Sequence, residues 1–202
     1  MMRLALVDAG GANIGSVRYA LQRLGVEAQL TADAGAIRGA DRVILPGVST
    51  AATVMRRLRE LDLVETLRTL RQPLLGVCVG MQLLFEHSEE DDTPCLGLLP
   101  GQVRRLPTDA GIRVPHMGWN RLRLRLRGSD RLLDGFDDGE HAYFVHSYAA
   151  AVTSDCIAST DHGGEFAAVV RRGNVMGAQF HPERSAAAGA RLLRNFLTME
   201  PA

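Results

Sequence analysis

The chain has 202 residues, of which 46% are apolar, so it has enough apolar material for one core, and we expect a single domain over residues 1–202. Lysine plus arginine and aspartate plus glutamate both number 23, and the resulting net charge of +0 argues against broad electrostatic binding of nucleic acid or of an acidic membrane surface. No apolar run approaches the roughly 20 residues that span a bilayer, so we expect no membrane partner.

The sequence predicts an intracellular protein without a metal or cofactor. Residues 1–8 lack a long apolar stretch and indicate a first strand rather than a signal peptide. The cysteines are too few and too far apart for a disulfide framework or a zinc site, so we expect reduced thiols and a cytoplasmic location. They are Cys78, Cys95 and Cys156. Four histidines show no compact ligand spacing, which favours ordinary hydrogen bonding. They are His116, His141, His146 and His162.

The first half of the chain alternates short apolar runs with helical periodicity. The predicted strands are Leu4–Val7, 43–45 and 74–77. The predicted helices carry apolar positions at Val17, Leu21 and Leu24, then at Val54, Leu58, Leu61, Leu67 and Leu70, and then over 81–85. This alternation predicts an α/β fold whose central, mostly parallel sheet is flanked by helices.

The second half predicts an additional antiparallel strand region that ends in a helix over 186–199. Its strand-like segments are 101–106, 122–126, 141–148, 166–170 and 175–180. Residues 121–127 alternate arginine with leucine, which predicts a strand with one buried and one solvated face. A nucleic-acid site is the alternative, but no aromatic residues are interleaved to stack on bases.

The segment 76–80, GVCVG, is the most informative motif. It follows a buried strand and precedes a helix, and its two glycines permit the sharp turn of a nucleophile elbow, which exposes a central nucleophile. The start of the helix favours the thiolate of Cys78. A buried structural cysteine beside packing glycines is the alternative.

A histidine and a glutamate follow the last predicted strand. Pro182 biases His181 towards an extended conformation, at a strand end from which the imidazole can reach the elbow. Glu183 can hold the other ring nitrogen and fix the tautomer. Together with Cys78 these residues supply a nucleophile, a base and an orienting group, although a surface turn would explain them individually.

Acyl transfer also needs hydrogen-bond donors for an oxyanion. The amide of Val79 comes with the elbow, and a second donor can come from Gly47 or Val48 in the loop that closes the strand over 43–45. An ordinary turn is the alternative for this loop.

These residues resemble the class I, or triad, glutamine amidotransferases. Within that family the chain is similar to the glutaminase subunits of imidazole glycerol phosphate synthases, and the resemblance covers residues 8–196. The segments that carry it are 76–82 (GVCVGMQ), 113–120 (RVPHMGWN), 143–148 (YFVHSY) and 179–185 (QFHPERS).

The resemblance implies that glutamine is hydrolysed to glutamate and ammonia. Cys78 is then the nucleophile, His181 the base and acid, and Glu183 the orienting residue. It also places three residues near the bound glutamine, which are Gln82, Ser147 and Tyr148.

The same resemblance implies a heterodimer in which ammonia passes to a cyclase subunit for histidine biosynthesis. It places Met117, Trp119, Asn120 and Arg184 at the interface with that subunit, although a core position is the alternative for the tryptophan. No cofactor is implied.

Two positions depart from the family. Ser49 replaces the last glycine of the usual PGVG loop, which puts the second oxyanion donor in doubt if that position needs a positive φ. Ala186 replaces a glycine after the His-Pro-Glu segment, which we expect to be a small change at a helix start.

Three other interpretations stay open. A triad glutaminase of vitamin B6 formation is favoured by the loop at Ser49 and Thr50 and opposed by segment 115–120. A cysteine protease fits the elbow but not the α/β sheet. A nucleotide-binding module is suggested by 10–15, GGANIG, but Ala12 stands where a glycine must let the backbone approach pyrophosphate.

Overall fold

The computed structural model describes residues 2–10, 14–108, 111–125 and 130–200. In chain order the strands are β1 (Leu4–Val7), β2 (Ala28–Thr31), β3 (Arg42–Gly47), β4 (Leu74–Cys78), β5 (His87–Ser88), β6 (Thr93–Pro94), β7 (Gln102–Arg105), β8 (His116–Arg121), β9 (Arg123–Leu124), β10 (His141–His146), β11 (Tyr148–Ala150), β12 (Cys156–Asp161), β13 (Glu165–Arg172) and β14 (Val175–Ala178). The helices are α1 (Ile14–Arg23), α2 (Ala34–Gly39), α3 (Ala51–Glu60), α4 (Val64–Arg68), α5 (Val79–Gln82) and α6 (Ala186–Thr198).

The central sheet has the order β2-β1-β3-β4-β14-β13-β12-β9. Strands β2, β1, β3, β4 and β14 are parallel, whereas β13, β12 and β9 continue the sheet in antiparallel pairings. Strands β1, β3, β4 and β14 are buried along their whole length, as expected for parallel strands covered on both faces. The predicted α/β fold with an antiparallel region is confirmed.

Two smaller sheets stand beside the central one. Strands β10 and β8 form an antiparallel ribbon, and β11, β7, β5 and β6 form a four-stranded sheet. The predicted strand over 141–148 is therefore two strands, which Ser147 separates as the chain passes from the ribbon to the four-stranded sheet. Among the described residues, no helix is long and apolar enough to cross a membrane.

The helical prediction is wrong in its boundaries at two places. Between α3 and α4 the chain leaves the helical conformation at Asp62, whose φ is 54°. Val54 and Leu58 therefore belong to α3 and Leu67 to α4, whereas Leu61 and Leu70 lie beyond the ends of these helices. Helix α5 covers Val79–Gln82 rather than 81–85, because it begins directly at the elbow.

Strands β2, β5, β6, β8 and β12 and helix α2 were not predicted. Strand β2 lies at the sheet edge and buries only Ala28, so it lacks an apolar run. Strand β12 is buried but contains polar residues, and Ser159 satisfies its hydroxyl by donating to Glu165 at 2.7 Å. Burial in these strands depends on their neighbours in the sheet, which the local sequence does not show.

The arginine–leucine row keeps its alternation of exposed and buried side chains, but it does not form one continuous strand. Leu122 is buried, and the flanking Arg121 and Arg123 are exposed. The strand breaks at Leu122 because β8 pairs with β10 whereas β9 pairs with β12, so the chain changes sheet there. Residues 126 and 127 of the row, and residues 11–13 of the glycine-rich segment, lie outside the described residues.

Candidate active site

Three glycines make room for the turn that carries Cys78: Gly76 and Gly80 flank the cysteine, and Gly47 lies on the neighbouring strand β3. The cysteine ends β4 and precedes α5 with φ 54° and ψ −112°, a conformation that costs a non-glycine residue on the order of 1–3 kcal/mol. A β-carbon on Gly80 would lie 1.9 Å from the Leu45 carbonyl oxygen, and one on Gly76 would lie 2.5 Å from the Gly80 oxygen. A β-carbon on Gly47 would lie 2.9 Å from the Gly80 nitrogen. The elbow therefore depends on backbones that approach too closely for any side chain.

The Cys78 sulfur lies in a polar environment. Its side chain is almost buried, and Sγ is 3.7 Å from the Val145 carbonyl oxygen and 3.9 Å from Nε2 of Gln179. His181 follows the end of the neighbouring strand β14, and its side chain lines the same cavity as Cys78 and interacts with it. The two predicted reacting groups are thus together.

His181 is held in one orientation by Glu183. Nδ1 of the imidazole is 2.8 Å from Oε1 of the carboxylate, and both side chains are buried. Burial alone lowers the pKa of His181, but its interactions with Cys78 and Glu183 outweigh burial and raise that pKa to about 10. The arrangement therefore favours the imidazolium form of His181 beside the candidate nucleophile.

Ser185 fixes the turn that carries His181, and sequence reasoning did not assign it a role. Its hydroxyl donates to the His181 carbonyl oxygen at 2.7 Å and accepts from the Tyr143 amide at 2.9 Å. The His181 amide in turn donates to the Tyr143 carbonyl oxygen at 2.9 Å. Strand β10 therefore holds the histidine backbone in place.

A cavity of about 550 Å³ opens over Cys78. The predicted site residues that line it are Val48, Cys78, Val79, Gln82, Ser147, Tyr148, His181 and Arg184. Glu183 is not among the lining residues, which is consistent with its position on the far side of the imidazole from the sulfur. The structure thus brings together residues that are more than 100 positions apart in the sequence.

Gln82 and Gln179 form a buried pair of amides beneath the cavity. Nε2 of Gln82 donates to the Tyr148 carbonyl oxygen at 2.7 Å and to Oε1 of Gln179 at 3.1 Å. Gln179 is fully buried and was missed as a site residue, although it directly follows the end of β14 and stands two positions before His181. That proximity to His181 was the available signal.

Glu90 is an acidic residue of the cavity wall that the sequence did not reveal. Its Oε2 accepts from the Ala51 amide at 2.7 Å, at the start of α3, and burial raises its pKa. Glu90 lies in a short 3₁₀ turn far from any motif, so only the tertiary structure brings it to the cavity.

The two positions that depart from the family, Ser49 and Ala186, differ in backbone strain. Ser49 is not among the described non-glycine residues with positive φ, so its side chain does not strain the loop. Gly47 pairs in register with Cys78, and Val48 lies at the cavity mouth. Ala186 does have a positive φ of 47°, a left-handed conformation that favours glycine, so the expected small change carries backbone strain.

The residues predicted at a partner interface divide into exposed and internally bonded side chains. Met117 is 64% exposed and Trp119 is 54% exposed, so a core position for the tryptophan is wrong. Arg184 is also exposed. Asn120 is half-buried, and its amide nitrogen donates to the Asp161 carbonyl oxygen at 2.8 Å. Asn120 therefore uses part of its hydrogen-bonding capacity within the protein.

The family model described as Glutamine amidotransferase class-I matches residues 5–199 of this chain. The chain belongs to the class-I glutamine amidotransferase family. The predicted enzyme class is thereby confirmed, and the protease and nucleotide-binding alternatives are set aside. The candidate nucleophile of this amidotransferase stands on an elbow at the end of a parallel strand.

Among its relatives, this amidotransferase is similar to proteins named imidazole glycerol phosphate synthase subunit HisH. It is 62% identical to the one from Xylella fastidiosa (strain Temecula1), over 100% of both chains. It is also 62% identical to the one from Xanthomonas axonopodis pv. citri, over 98% of each chain. These relatives support the histidine-pathway prediction over the vitamin B6 alternative.

A solved structure described as a glutamine amidotransferase has the same fold. It superposes with a TM-score of 0.74, covers 96% of each chain and shares 23% sequence identity. At that identity the similarity concerns the fold alone.

Proposed function

We propose that residues 1–202 form one glutaminase domain that hydrolyses glutamine and delivers the ammonia to a cyclase subunit of imidazole glycerol phosphate synthase, in histidine biosynthesis. The observation that carries the proposal is the Cys78–His181–Glu183 arrangement at one cavity. The 62% identity to subunits of that synthase, over the full chain, supports the pathway.

The proposed reaction has two steps. The Cys78 thiolate attacks the side-chain amide carbon of glutamine, and as the carbon–nitrogen bond breaks the His181 imidazolium gives its proton to the departing ammonia. His181 then takes a proton from water, whose oxygen attacks the thioester carbon. The carbon–sulfur bond breaks, glutamate leaves, and the thiolate–imidazolium pair is restored.

Backbone amides and the cavity wall complete the proposed site. The Val79 amide and a donor from Gly47 or Val48 stabilise the oxyanion of each tetrahedral intermediate, which the position of that loop beside the elbow supports. The carboxylate of Glu90 is suited to the α-ammonium of glutamine because it lines the same cavity.

Ser147 and Tyr148 belong to the cavity wall that faces the bound glutamine, and Gln82 supports that wall through the Tyr148 carbonyl. In this proposal Gln82 shapes the site through its internal hydrogen bonds, while Ser147 and Tyr148 contact the substrate.

Replacing Glu183 with glutamine is expected to lower kcat by about 100-fold or more, because the charge that orients and stabilises the imidazolium is lost. Glu183 raises the pKa of His181, so its removal lowers that pKa and the imidazolium loses its proton at a lower pH. The alkaline limb of the kcat profile should therefore move to lower pH. The measurement is glutamate release against pH.

The matched control for this change is Glu65→Gln. The Glu65 carboxylate pairs with Arg68 on the surface and is 72% exposed, so its loss should leave the profile unchanged. An alkaline limb of Glu183→Gln that coincides with the wild-type limb would contradict the assigned role of Glu183.

Replacing Trp119 with alanine is expected to weaken binding of the cyclase subunit by about tenfold or more, because an exposed tryptophan is a frequent interface anchor. Its ring packs edge-on against Tyr143 at 5.8 Å and is thereby held in a defined orientation. The measurement is the Kd of the heterodimer by calorimetry. Leu30→Ala, an exposed apolar residue on the edge strand β2, is the control that should leave Kd unchanged.

The experiment that tests the function is glutamate release by the purified chain, alone, with its cyclase subunit, and with the cyclase's nucleotide substrate. Turnover that rises with the partner would support both the chemistry and the pathway. Turnover that ignores the partner would keep the glutaminase and favour another synthase, such as that of vitamin B6 formation. Absence of turnover under every condition would overturn the proposal.

A further inference from the structure

Two buried histidines connect strand β8 with the wall of the cavity. His116 and His146 lie opposite each other in the β8–β10 ribbon and are 4% and 6% exposed. Nδ1 of His116 is 3.1 Å from Nε2 of His146, and Nδ1 of His146 is 2.8 Å from the Tyr148 carbonyl oxygen. At the other end, Nδ2 of Asn120 is 3.2 Å from Nε2 of His116. The four residues form one continuous chain of hydrogen bonds.

The asparagine end determines the direction of this chain. Oδ1 of Asn120 accepts from the Arg121 amide at 2.8 Å, and Nδ2 donates to the Asp161 carbonyl oxygen at 2.8 Å. Both partners are backbone groups with fixed roles, so the Asn120 amide cannot be flipped. Nδ2 therefore faces His116 as a donor, and Nε2 of His116 carries no proton. A neutral His116 then has its proton on Nδ1 and donates it to His146.

The tyrosine end leads to the same direction independently. A carbonyl oxygen only accepts, so Nδ1 of His146 must donate to Tyr148, and Nε2 is left to accept from His116. Protonation of either ring would place two donors against each other. Burial, together with the electrostatic influence of the nearby His162, lowers the pKa of His116 to about 4. Burial lowers that of His146 to about 3. Both rings are therefore neutral, each with its proton on Nδ1.

The chain ends at a carbonyl that also supports the candidate active site. The Tyr148 carbonyl oxygen accepts a second hydrogen bond from Gln82, at 2.7 Å, and Gln82 contacts Gln179 beside the Cys78 sulfur. His146 itself lines the cavity. The cavity wall over 145–148 is thus held between the histidine pair on one side and the buried amides on the other.

We propose that His146, kept in a single tautomer by His116 and Asn120, is a positioning residue that holds the Tyr148 carbonyl and so shapes the cavity wall for glutamine. This role rests on the glutaminase function proposed above. Asn120 lies on the strand that exposes Met117 and Trp119, so the same hydrogen bonds link the proposed partner surface with the cavity.

Two substitutions of His146 separate positioning from packing. His146→Asn places an amide nitrogen near the position of Nδ1 and can keep the hydrogen bond to Tyr148, whereas His146→Phe keeps the ring volume and loses every hydrogen bond. Positioning predicts that the phenylalanine variant raises KM for glutamine by about tenfold with a smaller change in kcat, and that the asparagine variant stays within about threefold of the wild type. A phenylalanine variant closer to the wild type than the asparagine variant would overturn the role.

Two readouts keep this comparison interpretable. Alkylation of Cys78 by iodoacetamide, measured by mass spectrometry, should be equal in all three proteins, because the elbow does not depend on His146. Unequal alkylation that parallels the loss of activity would show a general disturbance and overturn the specific role. A wild type without turnover in the presence of its cyclase would instead refute the proposed function itself.

The tautomers can be observed without any enzymatic activity. In wild-type protein with ¹⁵N-labelled histidine, NMR at pH 7 should show His116 and His146 neutral and protonated at Nδ1. In Asn120→Asp a carboxylate oxygen faces Nε2 of His116, so that nitrogen should gain a proton. A wild-type ring protonated at Nε2, or an imidazolium at either position, would overturn the proposal.

Discussion

Cys78→Ala is expected to abolish glutamine hydrolysis, with kcat falling by on the order of 10⁴-fold or more, because the proposed mechanism depends on the Cys78 sulfur as its nucleophile. The variant keeps its β-carbon and hence the backbone conformation at φ 54°, so the elbow and the fold should persist. Glutamate release with the cyclase subunit present measures the effect, and circular dichroism verifies the fold.

Cys95→Ala is the matched control for this prediction. Burial raises the pKa of Cys95 to about 11, so its thiol is protonated at neutral pH and is a poor nucleophile. Its removal should leave kcat within about twofold of the wild type and cost only the stability of a small buried side chain. Residual turnover in Cys78→Ala equal to that of Cys95→Ala would show that the nucleophile is elsewhere.

Gly80→Ala is expected to have a large effect although it adds a single methyl group. The new β-carbon would lie 1.9 Å from the Leu45 carbonyl oxygen, which belongs to the β3 backbone and cannot rotate away. We expect a loss of at least about 3 kcal/mol in the free energy of unfolding, measured by urea titration. In protein that still folds, displacement of Cys78 from His181 should lower kcat/KM by about 100-fold or more.

Gly39→Ala tests whether the loss at Gly80 is specific. Gly39 ends helix α2, has no atom within 4 Å of an added β-carbon and does not have a positive φ. Alanine there should change the free energy of unfolding by less than about 1 kcal/mol, in the stabilising direction if at all. Equal losses from the two substitutions would mean that the close approach at Gly80 is not what the elbow depends on.

Much of the fold could be predicted because, in the first half of the chain, the local sequence indicates most of the strands and helices. The runs that became β1, β3 and β4 are short, apolar and punctuated by glycine or proline, which is the pattern of buried parallel strands. Strand β12 escaped prediction because its buried face includes serine and threonine, whose burial depends on partners elsewhere in the sequence.

The residues of the candidate site likewise divide into those that the sequence indicated and those that it did not. Cys78, His181 and Glu183 were assigned from the sequence because each stands at a recognisable strand end, where the geometry of a parallel sheet brings such residues to one edge. Gln179 was not, although it stands two positions before His181. Ser185 and Glu90 were not, because a hydroxyl and a carboxylate have no sequence pattern that reports their contacts.

The sequence by itself determined the class of fold and the family, and it led to Cys78, His181 and Glu183 as the candidate catalytic residues. Only the tertiary structure decided that Ser49 is unstrained and Ala186 is strained, because φ at a single residue depends on how the flanking elements are anchored. It alone also decided that His116 and His146 meet and share one hydrogen-bond direction, since that direction is imposed by backbone groups of Arg121, Asp161 and Tyr148.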